Sequence, residues 1–299
     1  MNPILLGTGA AEGIPCVFCE CPVCTRARAR GGRDVRSRSS LLLDEYSIVD
    51  FSRDLFHQML SIGQSLRGLE RIFLTHFHED HISVEEMSAR SCAVPPLSHP
   101  IRIFCSEPAA EQLRLLINRF HDHNLAQPFD YFERFQLCPV EPFHPFAAGA
   151  WTITPLLSSH HSYGVGEIGY NYLYAQNGET LLYAVDTGWY PPVTWDYLRG
   201  RRLNGVILEC TYGDQPLPAR APEHLNRANA LDMLEHLRSL GCISEKTPCA
   251  LTHICHLHSQ SWQETQDSLR DCGFSLLAGY DGMPFPCFGE NHSAFTAQP

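Results

Sequence analysis

Short apolar runs separated by Gly, Pro and Asp dominate the chain and predict β-strands. Several runs are apolar throughout, which is typical of strands buried on both faces. The runs predicted as strands are residues 4–6, 40–43, 47–49, 71–74, 101–104, 151–154, 171–174, 181–185, 205–208 and 249–251. Helical patterns fall between them, at residues 107–120, 225–240 and 261–272. Strands throughout the chain with helices interspersed predict a layered α/β architecture.

The stretch from residue 120 to 145 is rich in Phe, His and Pro and is predicted to be irregular. The chain shows no internal repeat and no low-complexity linker, and we interpret residues 1–299 as a single domain. A chain of 299 residues that is 44% hydrophobic and 18% charged can bury a large core.

The charge balance argues against several classes of partner. The formal net charge is -11, whereas nucleic acids and anionic membranes attract proteins with basic faces. We therefore expect no nucleic-acid partner. The sequence contains no run of 18 or more apolar residues, so no membrane-spanning helix is predicted.

The cysteine pattern bears on the cellular compartment. Most of the 13 cysteines are scattered singly through apolar segments. This distribution is typical of reduced thiols in a cytosolic enzyme together with one metal site, rather than of a disulfide scaffold. The N-terminus also lacks the basic and long apolar regions of a secretory signal. The expected location is cytoplasmic.

Residues 75–81, Thr-His-Phe-His-Glu-Asp-His, place three imidazoles and a carboxylate directly after an apolar run. The four side chains are His76, His78, Asp80 and His81. A regular helix or strand cannot point all four into one pocket, whereas a loop around a pair of metal ions can use them all. Imidazole and carboxylate suit zinc, manganese and iron. The stretch therefore predicts a metal site at the end of a strand.

Further candidate ligands recur after later apolar runs. They are His160 with its neighbour His161, Asp186 in an Asp-Thr-Gly turn, and His253. Each residue alone is weak evidence for a metal site, because an Asp or His at a strand end is commonly a cap or a solvated side chain. Together they supply what a two-metal hydrolase needs, namely imidazoles for both ions and a carboxylate between them.

A second candidate metal site is the cysteine loop formed by Cys19, Cys21 and Cys24. Three thiolates in so compact a loop suit tetrahedral zinc but leave one ligand position open. Buried free thiols are the alternative interpretation.

The His-x-His-x-Asp-His stretch, followed in order by a distal His, an Asp and a last His, resembles the metallo-β-lactamase superfamily. The resemblance implies an α+β fold, a four-layer αββα sandwich of mixed sheets with the metals at one edge. It implies that His76, His78 and His160 hold the first ion. Asp80, His81 and His253 would hold the second, with Asp186 bridging. His160 is preferred to His161 because the family places this ligand five residues beyond a Pro-Leu pair, here Pro155-Leu156.

The segment from Gly7 to Cys24 resembles one branch of the superfamily, the PhnP-type phosphoribosyl cyclic phosphodiesterases of the carbon–phosphorus lyase pathway. Members of this branch complete their Cys-x-Cys-x-x-Cys loop with a His three residues after the last catalytic His, which is His256 in this chain. The resemblance implies a structural zinc in a loop around residues 16–24, bound by Cys19, Cys21, Cys24 and His256. Lower-ranked alternatives for its ligands are Cys16, Cys255 and His258.

The same resemblance points to a His upstream of the last ligand that contacts the phosphate and protonates the leaving alkoxide. His224, expected at the start of a helix, is the candidate; its alternative is a capping or surface residue, and His236 is expected on the surface. The chain departs from the family pattern in a longer, aromatic region at residues 106–150, interpreted as an insertion, and in the loop at residues 215–222. Both would border the substrate.

These observations predict a metal-dependent hydrolase with two divalent ions, zinc, manganese or iron, and one structural zinc. The expected substrate is a small phosphodiester, cyclic or sugar-linked, attacked by a hydroxide that bridges the two ions. Asp80 and His224 are the expected catalytic residues, with His224 as general acid. The alternatives are a lactone or carboxylic-ester hydrolase and a metabolite-binding accessory protein without catalysis. Relatives often form homodimers, which is the expectation for the assembly.

Overall fold

The computed structural model describes residues 2–123, 131–162, 164 and 166–288. Two mixed β-sheets pack face to face, and helices cover the outer face of each sheet. The arrangement is an α+β sandwich of four layers, αββα, as the sequence predicts.

Numbered along the chain, the strands of the described residues are β1 (Ile4–Gly7), β2 (Ser40–Asp44), β3 (Ser47–Val49), β4 (Arg71–Phe73), β5 (Ile101–Cys105), β6 (Phe135–Pro139), β7 (Phe146–Ala148), β8 (Trp151–Ser162), β9 (Glu167–Gln176), β10 (Glu179–Ala184), β11 (Gly205–Glu209), β12 (Cys249–Thr252), β13 (Leu276–Ala278) and β14 (Met283–Pro284). The helices are α1 (Pro22–Arg30), α2 (Leu55–Ile62), α3 (Val84–Ser88), α4 (Glu107–His123), α5 (Tyr131–Arg134), α6 (Pro192–Leu198), α7 (Arg227–Ser239) and α8 (Trp262–Ser268).

The two sheets have matching topologies. The first has the order β14-β1-β2-β3-β4-β5-β6, and the second has the order β13-β12-β11-β10-β9-β8-β7. In the first sheet, β3 to β6 pair in parallel; in the second, β10 to β13 pair in parallel. The other neighbouring strands pair antiparallel. Each sheet therefore gathers several strand carboxyl ends at one edge.

Side chains alternate between the two faces of each strand and so build three apolar layers. One layer lies between the two sheets, and one lies between each sheet and its helices. In the first sheet, Leu42, Ile48 and Ile72 face α2, α3 and α4. Their neighbours Val49 and Phe73 face the second sheet, because successive side chains of a strand point to opposite faces. The outer face of the second sheet packs against α6 and α7.

The structure differs from the predicted elements in three places. The predicted strand at residues 151–154 continues to Ser162 in β8, so His160 and His161 lie within a strand. The stretch predicted to be irregular contains β6, which pairs with β5. Residues 124–130 of the expected 106–150 insertion lie outside the described residues, and the remainder supplies α4, α5, β6 and β7.

The third difference concerns the helix expected near His224. Its N-cap is Asn226, whose side chain accepts a hydrogen bond from the Asn229 amide, and the helix begins at Arg227. His224 therefore lies in the preceding loop and not at the helix N-terminus. Among the residues that the structure describes, every helix is too short or too polar to serve as a membrane span.

Phe73 provides a test of the layer between the sheets. Its side chain is fully buried and stacks on Phe104 with 5.2 Å between ring centroids. We expect Phe73→Ala to lower the free energy of unfolding by about 3–5 kcal/mol, because the truncation leaves a cavity. Phe56→Ala, on an exposed face of α2, is the matched control and should change it by less than ~0.5 kcal/mol. Urea unfolding measures both, and equal effects would contradict the layer assignment.

Candidate metal centre

The carboxyl ends of four parallel strands converge on one cluster of polar side chains. Asp50 follows β3, His76 lies just beyond β4, Asp186 follows β10, and His253 follows β12. The Tyr170 amide donates to the Thr75 carbonyl at 2.7 Å, which joins the edges of the two sheets at this point. The cluster therefore depends on both halves of the sandwich.

Three imidazoles form the first group in this cluster. His76 Nε2 lies 2.8 Å from His78 Nδ1, and His160 Nε2 lies 3.3 Å from the same atom. Burial lowers the pKa of each of these histidines, and that of His76 falls well below its usual value. The rings are therefore neutral, the form in which imidazole binds metal ions. Their ligand atoms lie close enough together to hold one cation.

Two carboxylates and two imidazoles form the second group. Asp186 Oδ2 lies 2.8 Å from His81 Nε2 and 3.1 Å from His253 Nε2, and Asp80 Oδ2 lies 3.1 Å from His81 Nε2. Burial alone would lower the pKa of His81, but Asp80, Asp50 and Asp186 raise it well above its usual value. The space between these groups therefore favours positive charge.

The buried polar atoms of the second group fit a metal ion. His81 Nε2 and His253 Nε2 are buried at 2.8 and 3.1 Å from the buried Asp186 Oδ2, but among the described residues none of the three atoms makes a hydrogen bond of good geometry. Such atoms are rare in folded proteins because each lost hydrogen bond is costly. Imidazole nitrogen and carboxylate oxygen are common zinc ligands. A cation between these atoms would satisfy all of them at once.

Asp50 is a residue of the site that the sequence reasoning missed. Its fully buried carboxylate accepts hydrogen bonds from the Thr75 amide and hydroxyl at 2.9 and 3.0 Å and from His81 Nδ1 at 2.7 Å. With a cation in the site, the Nδ1 proton directed at Asp50 would leave the lone pair of the His81 ring on Nε2. A carboxylate behind a ligand histidine fixes the ring in this way at many metal sites. Its position after the strand at residues 47–49 was the available signal.

Glu209 is the second missed residue, at the end of β11. The fully buried carboxylate accepts from His224 Nδ1 at 2.9 Å, from the Thr211 hydroxyl at 2.6 Å and from the Leu225 amide at 3.0 Å. The Thr211 hydroxyl in turn accepts from His253 Nδ1 at 2.8 Å. Glu209 thus orients His224 directly and His253 through a threonine.

His224 lies beside both groups. Its ring centroid is 4.8 Å from that of His160 and 5.9 Å from that of His253. Burial would lower the pKa of His224, but the Glu209 carboxylate raises it above its usual value. The sequence predicts this ring at the start of a helix, where the helix dipole disfavours its cationic form. In the structure it lies instead beside a buried carboxylate that favours the cation.

Three residues of the cluster adopt left-handed backbone conformations that side chains other than glycine rarely take. The φ angles are 59° at Asp50, 53° at Asp186 and 55° at His253. Each such residue costs about 1–3 kcal/mol, and such strain concentrates at functional sites. The strain lets each chain segment leave its strand sharply and direct the side chain across the sheet edge.

The structure distinguishes His160 from His161. His160 is buried and faces His76 and His78. Glu223 contacts both neighbours, at 3.3 Å from His160 Nδ1 and 3.2 Å from His161 Nδ1, but the His161 side chain is 44% exposed. His160 is therefore the neighbour whose ligand atom groups with those of the other two imidazoles.

The cysteine loop and His256 also come together. His256 Nδ1 lies 3.5 Å from both Cys19 Sγ and Cys21 Sγ, and the ligand atoms of Cys19, Cys21, Cys24 and His256 all lie within 4.8 Å of one another. Burial would raise the pKa of Cys21, but the Cys24 amide and the His256 ring lower it to about 6. A thiolate is the form that binds zinc.

The lower-ranked candidate ligands for the cysteine loop do not join its four clustered ligand atoms. Cys255 forms a group with Glu12 and His256 on the other side of that ring, and His258 is exposed. The Cys16 amide donates to Cys24 Sγ at 3.3 Å, so this residue supports the loop through its backbone. The fourth position beside the three sulfurs is therefore filled by His256.

Comparison with known sequences gives two matches. A family model described as the beta-lactamase superfamily domain matches residues 47–254. An octanoyltransferase from Porphyromonas gingivalis (strain ATCC BAA-308 / W83) is 28% identical over 179 residues, which are 57% of this chain and 34% of that protein. The chain thus spans about a third of the length of this curated relative.

Several solved structures share the fold. A diphosphatase from the PhnP family aligns with a TM-score of 0.71 and 20% identity, covering 95% of this chain and 96% of that one. Zn²⁺-bound PqqB from Methylobacterium extorquens aligns with a TM-score of 0.68 and 16% identity over 95% and 99%. Human short-form tRNase Z aligns with a TM-score of 0.64 and 17% identity over 95% and 98%. At these identities the likeness establishes the fold.

The pair His160 and His161 tests the first group. We expect His160→Ala to lower the divalent metal retained after loading and desalting by about one equivalent per chain, because it removes one of three imidazole ligands. His161→Ala is the matched control and should retain the full content. Mass spectrometry of metals measures both variants. Loss in His161→Ala with retention in His160→Ala would reassign the ligand.

Proposed function

The chain belongs to the beta-lactamase superfamily, and from that premise we propose that it is a metal-dependent hydrolase acting on a small phosphodiester. The observation that carries the proposal is His224, a partly exposed imidazole with a raised pKa that lies beside two candidate metal-binding groups. The arrangement combines sites for cations with a proton donor, which is what the expulsion of an alkoxide from phosphorus requires.

We assign the two ligand sets as the sequence predicts them. His76, His78 and His160 would hold one divalent ion; Asp80, His81 and His253 would hold the other, and Asp186 would bridge them. When bound, the ions would supply an activated water and neutralise the charge that grows on the phosphate oxygens. Zinc, manganese and iron all suit this donor set.

The residues around the ions would perform the positioning and the proton transfer. Glu209 holds His224 through Nδ1 at 2.9 Å, so Nε2 is the nitrogen left to face a substrate. A protonated Nε2 would contact a phosphate oxygen and then protonate the departing alkoxide. Asp50 would keep Nε2 of His81 available as a ligand through its bond to Nδ1.

The general acid alone does not separate a phosphorus centre from a carbonyl, because the hydrolysis of an alkyl ester or lactone also expels an alkoxide. The choice of a phosphorus centre follows from a structural neighbour. The PhnP-family diphosphatase, whose fold this chain shares, acts by name on a phosphorus centre. This supports the same class of reaction here, with a cyclic or sugar-linked phosphodiester as the proposed substrate.

The cysteine loop is proposed to hold a structural zinc on Cys19, Cys21, Cys24 and His256. The supporting observation is the clustering of the four ligand atoms. The thiols differ in pKa, since that of Cys21 is lowered to about 6 and burial raises that of Cys24 to about 12, so the clustering and not the pKa values supports the site. His256 follows His253 by three residues, and the Ile254 carbonyl between them accepts from the Ala10 amide at 3.1 Å. A zinc here would tie the N-terminal loop to the segment that carries the last active-site ligand.

A substrate panel separates the proposed activity from its rivals. Metal-loaded protein should hydrolyse bis-p-nitrophenyl phosphate and a cyclic ribose phosphodiester much faster than lactones or p-nitrophenyl carboxylic esters. Faster ester or lactone cleavage would favour the carbonyl hydrolase. Tight binding of a phosphodiester without turnover of any substrate in fully loaded protein would favour the accessory protein.

Substitutions at Asp186 and His224 should have different effects on metal content and turnover. Asp186→Ala is expected to lower metal content and abolish turnover, because its carboxylate contacts His81 and His253 and lies within 4.8 Å of the His76 ligand atom. His224→Ala should keep its metals and lose about 10²–10⁴-fold in kcat, the usual contribution of a general acid. Asp196→Ala, an exposed carboxylate on α6, is the control and should retain both. Full phosphodiesterase activity in purified His224→Ala would remove the acid assignment.

Substitutions at His256 and His258 test the proposed structural zinc. We expect His256→Ala to lose about one zinc per chain, because it removes one of four tetrahedral ligands. The two-metal set should stay intact in this variant. His258→Ala, at an exposed residue two positions along the chain, should keep every metal. Zinc loss in the second variant alone would assign the fourth ligand to His258.

A further inference from the structure

We propose that a separate pocket on the outer face of the first sheet binds a linear alkyl carboxylate, such as a medium-chain fatty acid. The pocket lies between α2, α3 and the chain that leads into β5, and its cavity measures about 480 Å³. That volume lies within the range of small-molecule sites, about 300–1,000 Å³. This inference does not depend on the proposed hydrolase activity.

The lining of the pocket is predominantly apolar. Its walls include Phe51, Leu55, Met59, Met87 and Phe135, and the exposed side chains Phe56 and Leu60 stand at its mouth. Two methionines give such a wall the adaptability that fits a flexible chain. The exposed side chains of Phe56 and Leu60 extend this apolar lining to the surface, where a ligand can enter. The shape and chemistry suit an alkyl chain rather than a flat protein surface.

A group of arginines gives the pocket a positive rim. Arg67 and Arg90 line it, and among the described lining residues Glu86 is the one carboxylate. Arg67 donates to the Pro95 carbonyl at 3.0 Å, Arg90 donates to the His99 carbonyl, and Arg134 donates to the Leu97 carbonyl at 2.7 Å. The three guanidinium groups thus surround one short loop, although the protein as a whole carries a net charge of -11.

Arg90 is the best candidate for the contact with the head group. Arg90 lines the pocket together with Arg67, and its side chain is only partly buried. Burial and the nearby charge of Arg134 lower the pKa of Arg90. A carboxylate at the rim would accept from the guanidinium nitrogens that line the pocket, because guanidinium matches carboxylate geometry. A carboxylate at the rim with an alkyl tail inside satisfies both parts of the pocket.

A chain-length series tests the proposal on the whole protein. Octanoate, decanoate and dodecanoate, each below its critical micelle concentration, are titrated by calorimetry. We expect the Kd to tighten by about threefold for each added methylene that the pocket buries. Dodecyltrimethylammonium, with the same tail and the opposite charge, should bind at least about tenfold more weakly than dodecanoate.

Two variants locate the site. Arg90→Gln should weaken dodecanoate binding by about tenfold or more, through loss of the charged contact. Leu60→Glu places a negative charge at the mouth on an exposed helix face and should weaken binding without affecting folding; Leu115→Glu, equally exposed on α4 and outside the pocket, is its matched control. Circular dichroism verifies folding. Binding that ignores chain length, prefers the ammonium, or is the same in Leu60→Glu and Leu115→Glu would overturn the proposal.

Discussion

Buried carboxylates at the meeting edge of the two sheets are the constraint on which the rest of the site depends. Asp50, Asp186 and Glu209 are all nearly or fully buried, and a buried carboxylate is costly unless donors or cations compensate it. Asp50 and Glu209 receive several hydrogen bonds each. Asp186 Oδ2 lies 2.8 and 3.1 Å from two imidazole nitrogens but receives no hydrogen bond of good geometry among the described residues. The arrangement therefore calls for positive charge at that one atom.

The two halves of the sandwich meet this constraint with the same device. In the first half, Asp50 accepts from the amide and hydroxyl of Thr75 and orients His81. In the second half, Glu209 accepts from the amide and hydroxyl of Thr211, and that hydroxyl orients His253. The matching strand orders explain the parallel, because each set lies at the carboxyl end of parallel strands. The second half differs in one respect, because its carboxylate, Glu209, also orients His224.

The strand positions and a layered architecture follow from sequence pattern, because apolar runs with His and Asp residues at their ends are local signals. The four-layer αββα fold and the division of the ligands into two sets follow from the resemblance to the metallo-β-lactamase superfamily. Asp50 and Glu209 could not be recognised, since a carboxylate after a strand looks the same whether it caps a turn or supports a histidine. The extent of β8 was missed because Ser158 and Ser159 interrupt its apolar pattern. The position of His224 depended on the N-cap, and the sequence does not show which polar residue before the helix serves as one.

The cysteine loop shows what a second metal site would add where the core provides little. Val17 is 76% exposed and Phe18 is 99% exposed, whereas Cys24 is buried and Val23 packs against the core. The chain just before the loop lies beside Ile254, which pairs with Gly9 and immediately follows His253. Apolar burial holds the end of the loop but not its start, and a tetrahedral metal site can contribute folding free energy directly. A zinc in this loop would thus stabilise the segment that positions the last ligand of the catalytic set.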